Sequence, residues 1–309
     1  MEKYLFNPKD GQTVLEPEGK GQGYWIGAPF VYHDKDLNKL FLYVRTRNPR
    51  PKVGKVNPLD TRRGYKCQIY ESIDGVKFDP IWEMRKHQIN AKSIEGAALI
   101  KIKEKYHIFL SYESHSKIPR WKIKKAEAMH PSEFQPKDFH PVNWNIPQYN
   151  KLGIKDPIIM EFGNKYFLYI DFYRFYKKTV GSTGLLTSLD GVSFKWEGDI
   201  LVKHKNKRCE WASLMIRLTS IFEEKKSNYI GFFDGTNHKS NLCEEKSGIL
   251  IGQTPYKLRI WSCDKPSFHS DYGSGSVRYL FGMKKDDKLW IYYEYTEEQG
   301  EHVLKLIRI

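Results

Sequence analysis

The chain has 309 residues, a length that suits one large all-β domain or two ordinary ones. Hydrophobic residues make up 40% and aromatics 15%, enough apolar mass for a packed core, which argues against a disordered chain. The formal net charge of +14 admits an anionic partner, but no nucleic-acid motif accompanies it and the aromatics lie in strand-like runs rather than basic stripes, so nucleic-acid binding is not expected.

The N-terminal MEKYLFNPKDGQ has no charged region followed by an apolar one, and no apolar run approaches 18 residues. The expectation is a soluble, cytoplasmic protein without a signal peptide or membrane span. Residues 3–16 read as one strand. The GKGQG at 19–23 follows no clear strand and opens no helix, so it is not read as a nucleotide loop. The four cysteines, Cys67, Cys209, Cys243 and Cys263, show no C-x-x-C spacing, and reduced thiols with no zinc site are expected.

Five similar segments follow. They are GAPFVYHDKDLNKLFLYVR (27–45), EGAALIKIKEKYHIFLSYE (95–113), KDPIIMEFGNKYFLYID (155–171), EWASLMIRLTSIFEEKKSNYIGFFD (210–234) and SVRYLFGMKKDDKLWIYYE (276–294). Each joins two β-rich runs by a turn of Asn, Asp, Lys or Glu, and each leads to a third run: YKCQIYES (65–72), RWKIKKAEA (120–128), TGLLTS (183–188), SGILIGQ (247–253) and HVLKLIRI (302–309). Two of these continue into nearly the same turn, SIDGVKF and SLDGVSF. Aligned on Ala28, Gly96, Asp156, Trp211 and Val277, the units recur every 55 to 68 residues, room for four strands and their loops.

The fold expected is an all-β, single-domain, five-bladed β-propeller of four-stranded antiparallel blades covering residues 1–309. The blades span about 24–84, 93–145, 153–202, 208–263 and 272–309, and the N-terminal strand closes the ring. The starts of the first strands and the ends of the second strands then converge on one mouth. That brings together the carboxylates Glu95, Asp156 and Glu210 with Asp171 and Asp234. Three acids near one axis need partners or a function, and mutual repulsion should raise at least one pKa. Trp25 and Trp211 offer faces for a sugar ring, and Arg278 a bidentate donor. Arg62 and Arg63 lie in the basic loop 45–64, and His269 lies in SFHSDYGSGS. Each also has a plainer reading: acids paired with Arg208 or Arg278, packed aromatics, a solvated loop and a hydrogen-bonded histidine.

The repeat pattern, KDP at 155–157 and CEWA at 209–212 resemble the five-bladed propeller glycosidases, the arabinanase, xylosidase, invertase and levansucrase superfamily that includes glycoside hydrolase families 43 and 32. The resemblance implies a carbohydrate substrate and no cofactor, with Glu210 as general acid and Asp156 as the acid that orients the site. The superfamily's first-blade acid is missing, because GAPF places Ala28 there. Glu95 in SIEGAAL, or a rim acid such as Asp171, Asp234 or Asp60, is then the base or nucleophile. Propeller mannoside phosphorylases of family 130 also lack that base and use phosphate held by basic side chains, which makes a phosphorylase the alternative. A sugar-binding propeller without catalysis is a third reading. No ligand spacing for calcium or another metal is seen.

Overall fold

Runs rich in β-branched and aromatic residues, cut by Asn, Asp, Lys and Gly turns, fold here as antiparallel hairpins. The computed structural model describes residues 1–49, 63–117, 120–147, 153–175, 178–201, 209–238 and 244–309. Arg62, Asp60, Arg208 and Cys243 lie outside the described residues, as does most of the basic loop that begins at Arg45.

The strands in chain order begin with β1 (Gln12–Leu15), β2 (Trp25–Asp34), β3 (Lys39–Arg47), β4 (Lys66–Ser72) and β5 (Asp79–Arg85). Next come β6 (Ser93–Ile102), β7 (Lys105–Glu113), β8 (Trp121–Ala128) and β9 (His140–Pro141). A third group holds β10 (Ile154–Phe162), β11 (Lys165–Phe175), β12 (Lys178–Ser188) and β13 (Lys195–Leu201). The chain ends with β14 (Met215–Lys225), β15 (Asn228–Thr236), β16 (Lys246–Thr254), β17 (Lys257–Ile260), β18 (Val277–Lys285), β19 (Lys288–Thr296) and β20 (His302–Arg308).

The architecture is all-β. Antiparallel pairing runs β2-β3-β4-β5, β6-β7-β8-β9, β10-β11-β12-β13, β14-β15-β16-β17 and β18-β19-β20-β1. Single parallel contacts, Trp25 with His302 and Gly181 with Met215, merge four of these groups into two large sheets. The first strands also meet one another in succession: β2 contacts β6, β6 contacts β10, β10 contacts β14, β14 contacts β18 and β18 contacts β2. The predicted N-terminal strand is shorter than expected. Only Gln12–Leu15 pairs with β20, while Glu2–Tyr4 and Pro8–Asp10 form 3-10 turns. Pro8 opens the second turn, where its missing N–H costs no ladder bond. Tyr4 and Phe6 anchor the segment on Phe222, Phe268 and Tyr293.

The two matched turns are alike in detail. Asp74 Oδ1 accepts from the Val76 and Lys77 amides at 2.8 and 2.9 Å, and Asp190 Oδ1 accepts from Val192 and Ser193 at 2.8 and 2.7 Å. Gly75 and Gly191 follow with φ of 69° and 71°, a region open to glycine without a Cβ clash. The core lies between successive groups, filled by side chains such as Phe41, Leu99, Leu168, Leu218 and Ile291, all at most 2% exposed.

Candidate functional site

All five first strands carry the same irregularity. Two residues of the first strand face one of the second at Ala28–Pro29, Glu95–Gly96, Asp156–Pro157, Leu218–Thr219 and Tyr279–Leu280. Such a bulge re-aims side chains at a sheet end. Ala28, Asp156 and Tyr279 hold φ of 53°, 50° and 53°, a strained region for residues with a Cβ. This register corrects the sequence alignment in three units. Glu95, rather than Gly96, matches Ala28 and Asp156, and Tyr279 replaces Val277. In the fourth unit Arg217 pairs with Asp234 as Arg278 pairs with Glu294, so β14 begins after Trp211. Glu210–Ala212 is instead a 3-10 turn ahead of that strand.

The strand ends hold a dense charge network. Arg45, Arg217 and Arg278 are each at most 1% exposed. Arg45 reaches Glu95 and Glu294, each at 3.2 Å, and Arg47 also pairs with Glu95. Arg217 binds Asp156 at 2.8 Å and Asp234 at 2.6 Å, while Arg278 binds Glu245 at 2.7 Å and Glu294 at 2.5 Å. Lys155 Nζ lies 3.1 Å from Asp156 Oδ2. The Tyr279 ring sits among the guanidiniums, 4.0 Å from Arg217, 5.4 Å from Arg278 and 5.8 Å from Arg45. His302 Nδ1 is 2.8 Å from Glu294 Oε1. Ions buried this deeply persist only when paired and hydrogen-bonded.

Backbone donors complete the network. Glu294 Oε2 accepts from the Ala28 amide at 3.3 Å, Asp156 Oδ1 from Gly96 at 3.2 Å, and the Asp234 carboxylate from Tyr279 at 3.0 and 3.1 Å. The Asp156 amide donates to Ser111 Oγ at 2.7 Å.

The cations reverse the pKa expected for the two bulge acids. Burial alone would raise Glu95, but Arg47 and Arg45 hold its carboxyl well below the usual range. Burial likewise opposes ionisation of Asp156, and Lys155 and Arg217 outweigh it. The acids pushed up are Asp171, to about 7, and Asp234, to about 6, with burial the leading cause for each. Both Asp171 oxygens are buried without a hydrogen-bond partner among the described residues.

The remaining expected residues spread over the same end. Glu210 is exposed on its turn, between buried Cys209 and Ala212. Trp211 stacks on Phe233 at 5.3 Å over the flat backbone of Gly235 and Gly248. Trp25 stacks on His302 at 4.5 Å, with Arg47 and Arg278 each 5.0 Å from its ring. Arg63 lies 5.9 Å from the Trp121 ring. His269 is exposed in the loop before β18, next to buried Phe268. Among the described residues no group of three or more His, Cys, Asp or Glu is arranged to hold a metal ion.

Sequence reasoning missed Arg217, Glu245, Tyr279 and His302. Aligning the units on their hairpin pairs, rather than on Trp211, would have matched the arginines of MIRL and SVRYL. An open cavity of about 560 Å³ adjoins this end, lined by Trp121, Trp144, Tyr112, Lys122, Asn143 and Asn145 among others.

No protein-family model and no curated protein matches the sequence. Solved structures do match in fold. A thermostable family-43 glycoside hydrolase is 12% identical with a TM-score of 0.65, covering 95% of this chain and 92% of its own. The endo-arabinase from Bacteroides thetaiotaomicron is 13% identical with a TM-score of 0.61, covering 96% and 98%. The β-1,2-mannobiose phosphorylase from Listeria innocua is 14% identical with a TM-score of 0.61, covering 100% and 95%. At these identities the likeness is one of fold, and the chain resembles the propeller glycosidases at that level.

Proposed function

We propose that this chain is a five-bladed propeller, closed by β1, that cleaves a glycosidic bond at the mouth where the first strands begin. The succession of contacts from β2 round to β18 and back to β2 supports the ring. The observation that carries the function is the shared bulge, which sets Glu95 and Asp156 at equivalent positions of adjacent units, while Glu210 stands exposed on the turn that precedes the fourth first strand.

In this reading Glu210 is the general acid. Its exposure leaves it free to meet a leaving-group oxygen and be reprotonated from water. Asp156, clamped by Arg217 and Lys155, orients the sugar and stabilises positive charge at the anomeric carbon. Glu95, the ionised carboxylate of the adjacent unit, is the base or nucleophile in place of the acid that Ala28 lacks. Arg278, held between Glu245 and Glu294, sets the charge of the site rather than gripping substrate. Trp25, Trp211, Arg63, Asp171, Asp234 and His269 remain candidates for the substrate-binding surround.

A second reading is favoured by Ala28. With no carboxylate in the first unit, inorganic phosphate could serve as nucleophile, as in a phosphorylase. The test is a product assay on a panel of aryl glycosides and oligosaccharides, with and without phosphate. Free sugar without phosphate supports hydrolysis. Sugar phosphate formed only with phosphate supports phosphorolysis. Sugar binding without turnover under either condition rejects catalysis.

A further inference from the structure

We infer that the sugar cleaved here is acidic, and that Arg63 with Lys155 receives its carboxylate beside Trp121. The inference rests on the glycosidase reading and names its substrate class.

Charge is split unevenly across the mouth. Cations gather at Glu95: Arg47, Arg45, Lys155 and Arg63 all act on it, with Arg45 shared with Glu294 and Lys155 shared with Asp156 and the neighbouring Asp171. The opposite side holds Arg217 and Arg278 against Asp234, Glu245 and Glu294, with Glu244 near His302. A substrate with one negative end would therefore dock in one orientation.

Arg63 is positioned rather than loose. Its carbonyl accepts from Ser93 Oγ, and the next residue, Gly64, accepts from the Ile94 amide at 2.8 Å. Its backbone holds a φ of 23°, rare for a residue with a Cβ. Its Nε is buried without a hydrogen-bond partner, and it has no ion pair, among the described residues. Lys155 lies 5.5 Å from the same Trp121 ring and 3.1 Å from Asp156, so an anion here is next to the proposed chemistry. Trp121 is also a wall of the 560 Å³ cavity, whose aromatic and amide lining suits a sugar ring. A carboxylate gives an arginine two parallel hydrogen bonds, whereas a neutral hydroxymethyl leaves the charge unmatched.

The experiment is calorimetric titration of the full chain with glucuronate, galacturonate, glucose, galactose and inorganic phosphate, each at low and raised salt. Arg63→Ala and Arg63→Lys are titrated in parallel, with melting curves as a folding control. A uronate is expected to bind at least tenfold more tightly than its neutral counterpart, to weaken with salt, and to lose that advantage in Arg63→Ala, with partial recovery in Arg63→Lys. Equal affinity for charged and neutral sugars overturns the inference, as does a folded Arg63→Ala with wild-type uronate binding. Phosphate binding that needs Arg63, without uronate binding, moves the anion from the sugar to a phosphate co-substrate and also overturns it. Cleavage of neutral glycosides at an unchanged rate in Arg63→Ala removes this inference and keeps the glycosidase. Arg63-dependent uronate binding by a chain without turnover removes the glycosidase and, with it, the statement about the cleaved sugar, and keeps only the carboxylate site at Arg63.

Discussion

Asp171 is the residue whose chemistry is least settled by its neighbours. It is 2% exposed, burial raises its pKa to about 7, and Lys155 and Arg217 only partly oppose that. Its folded pKa lies above an unfolded value of about 4. Its contribution to stability is therefore full below about pH 4 and lost as pH rises toward 7. Asp171→Asn removes the charge, so it is expected to stabilise the fold at pH 8 by roughly 2–4 kcal/mol, at about 1.4 kcal/mol per unit, and to change little near pH 4. Urea melts at the two pH values check this, and a variant less stable at pH 8 contradicts it. Glu294 behaves oppositely. Burial opposes its charge, but Arg278 and Arg45 hold its pKa well below the usual range. Its contribution is present above the unfolded value of about 4 and lost as pH falls below it. Glu294→Ala would strip partners from Arg45, Arg278, His302 and the Ala28 amide, and should cost about 3–5 kcal/mol at pH 7.

At the scale of elements, turn chemistry decides which glycines matter. Gly75 and Gly163 both hold positive φ, of 69° and 62°. A Cβ at Gly75 would collide with the Trp290 ring and the Tyr292 hydroxyl, whereas at Gly163 nothing lies within 4 Å. Gly163→Ala should therefore cost only the backbone strain, about 1–2 kcal/mol, while Gly75→Ala should cost roughly 1–3 kcal/mol more. Equal melting temperatures for the two variants would contradict this. Strands of this kind were legible because β-rich runs and Asn, Asp and Gly turns announce hairpins locally. The paired SIDGVKF and SLDGVSF turns were legible for the same reason. The start of the fourth unit was not. EWASLM has the composition of a strand, yet Glu210–Ala212 coils into a 3-10 turn, and Trp211 packs on Phe233 instead of entering the sheet. The bulges were equally hidden, because Ala28 and Tyr279 are not residues that advertise a positive φ, and Asp156, of a type that visits it, stands before a proline in a strand-like run.

Over the whole molecule, the first and last segments depend on each other. β1 is the outer partner of β20, and Tyr4 and Phe6 seat the preceding chain against β14, β19 and the loop at Phe268. Removing residues 1–16 should lower the melting temperature by roughly 10 °C or more, and an unchanged transition would show that the last group does not need β1. The repeat that implied this arrangement was readable from spacing alone. The charge network was only half readable, because acids at strand ends stand out in sequence whereas several of their arginine partners, such as Arg45 and Arg47 on Glu95 and Arg217 on Asp156, come from other units. The role proposed for Glu210 is to protonate the leaving group of a glycosidic bond. The most direct measurement is kcat/KM of wild type and Glu210→Gln on two aryl glycosides of the sugar that wild type cleaves, one with an acidic phenol and one with a poor leaving group. A loss of about 10²–10⁴ is expected on the poor leaving group and a much smaller loss on the activated one. Equal losses on both, or none on either, would contradict it.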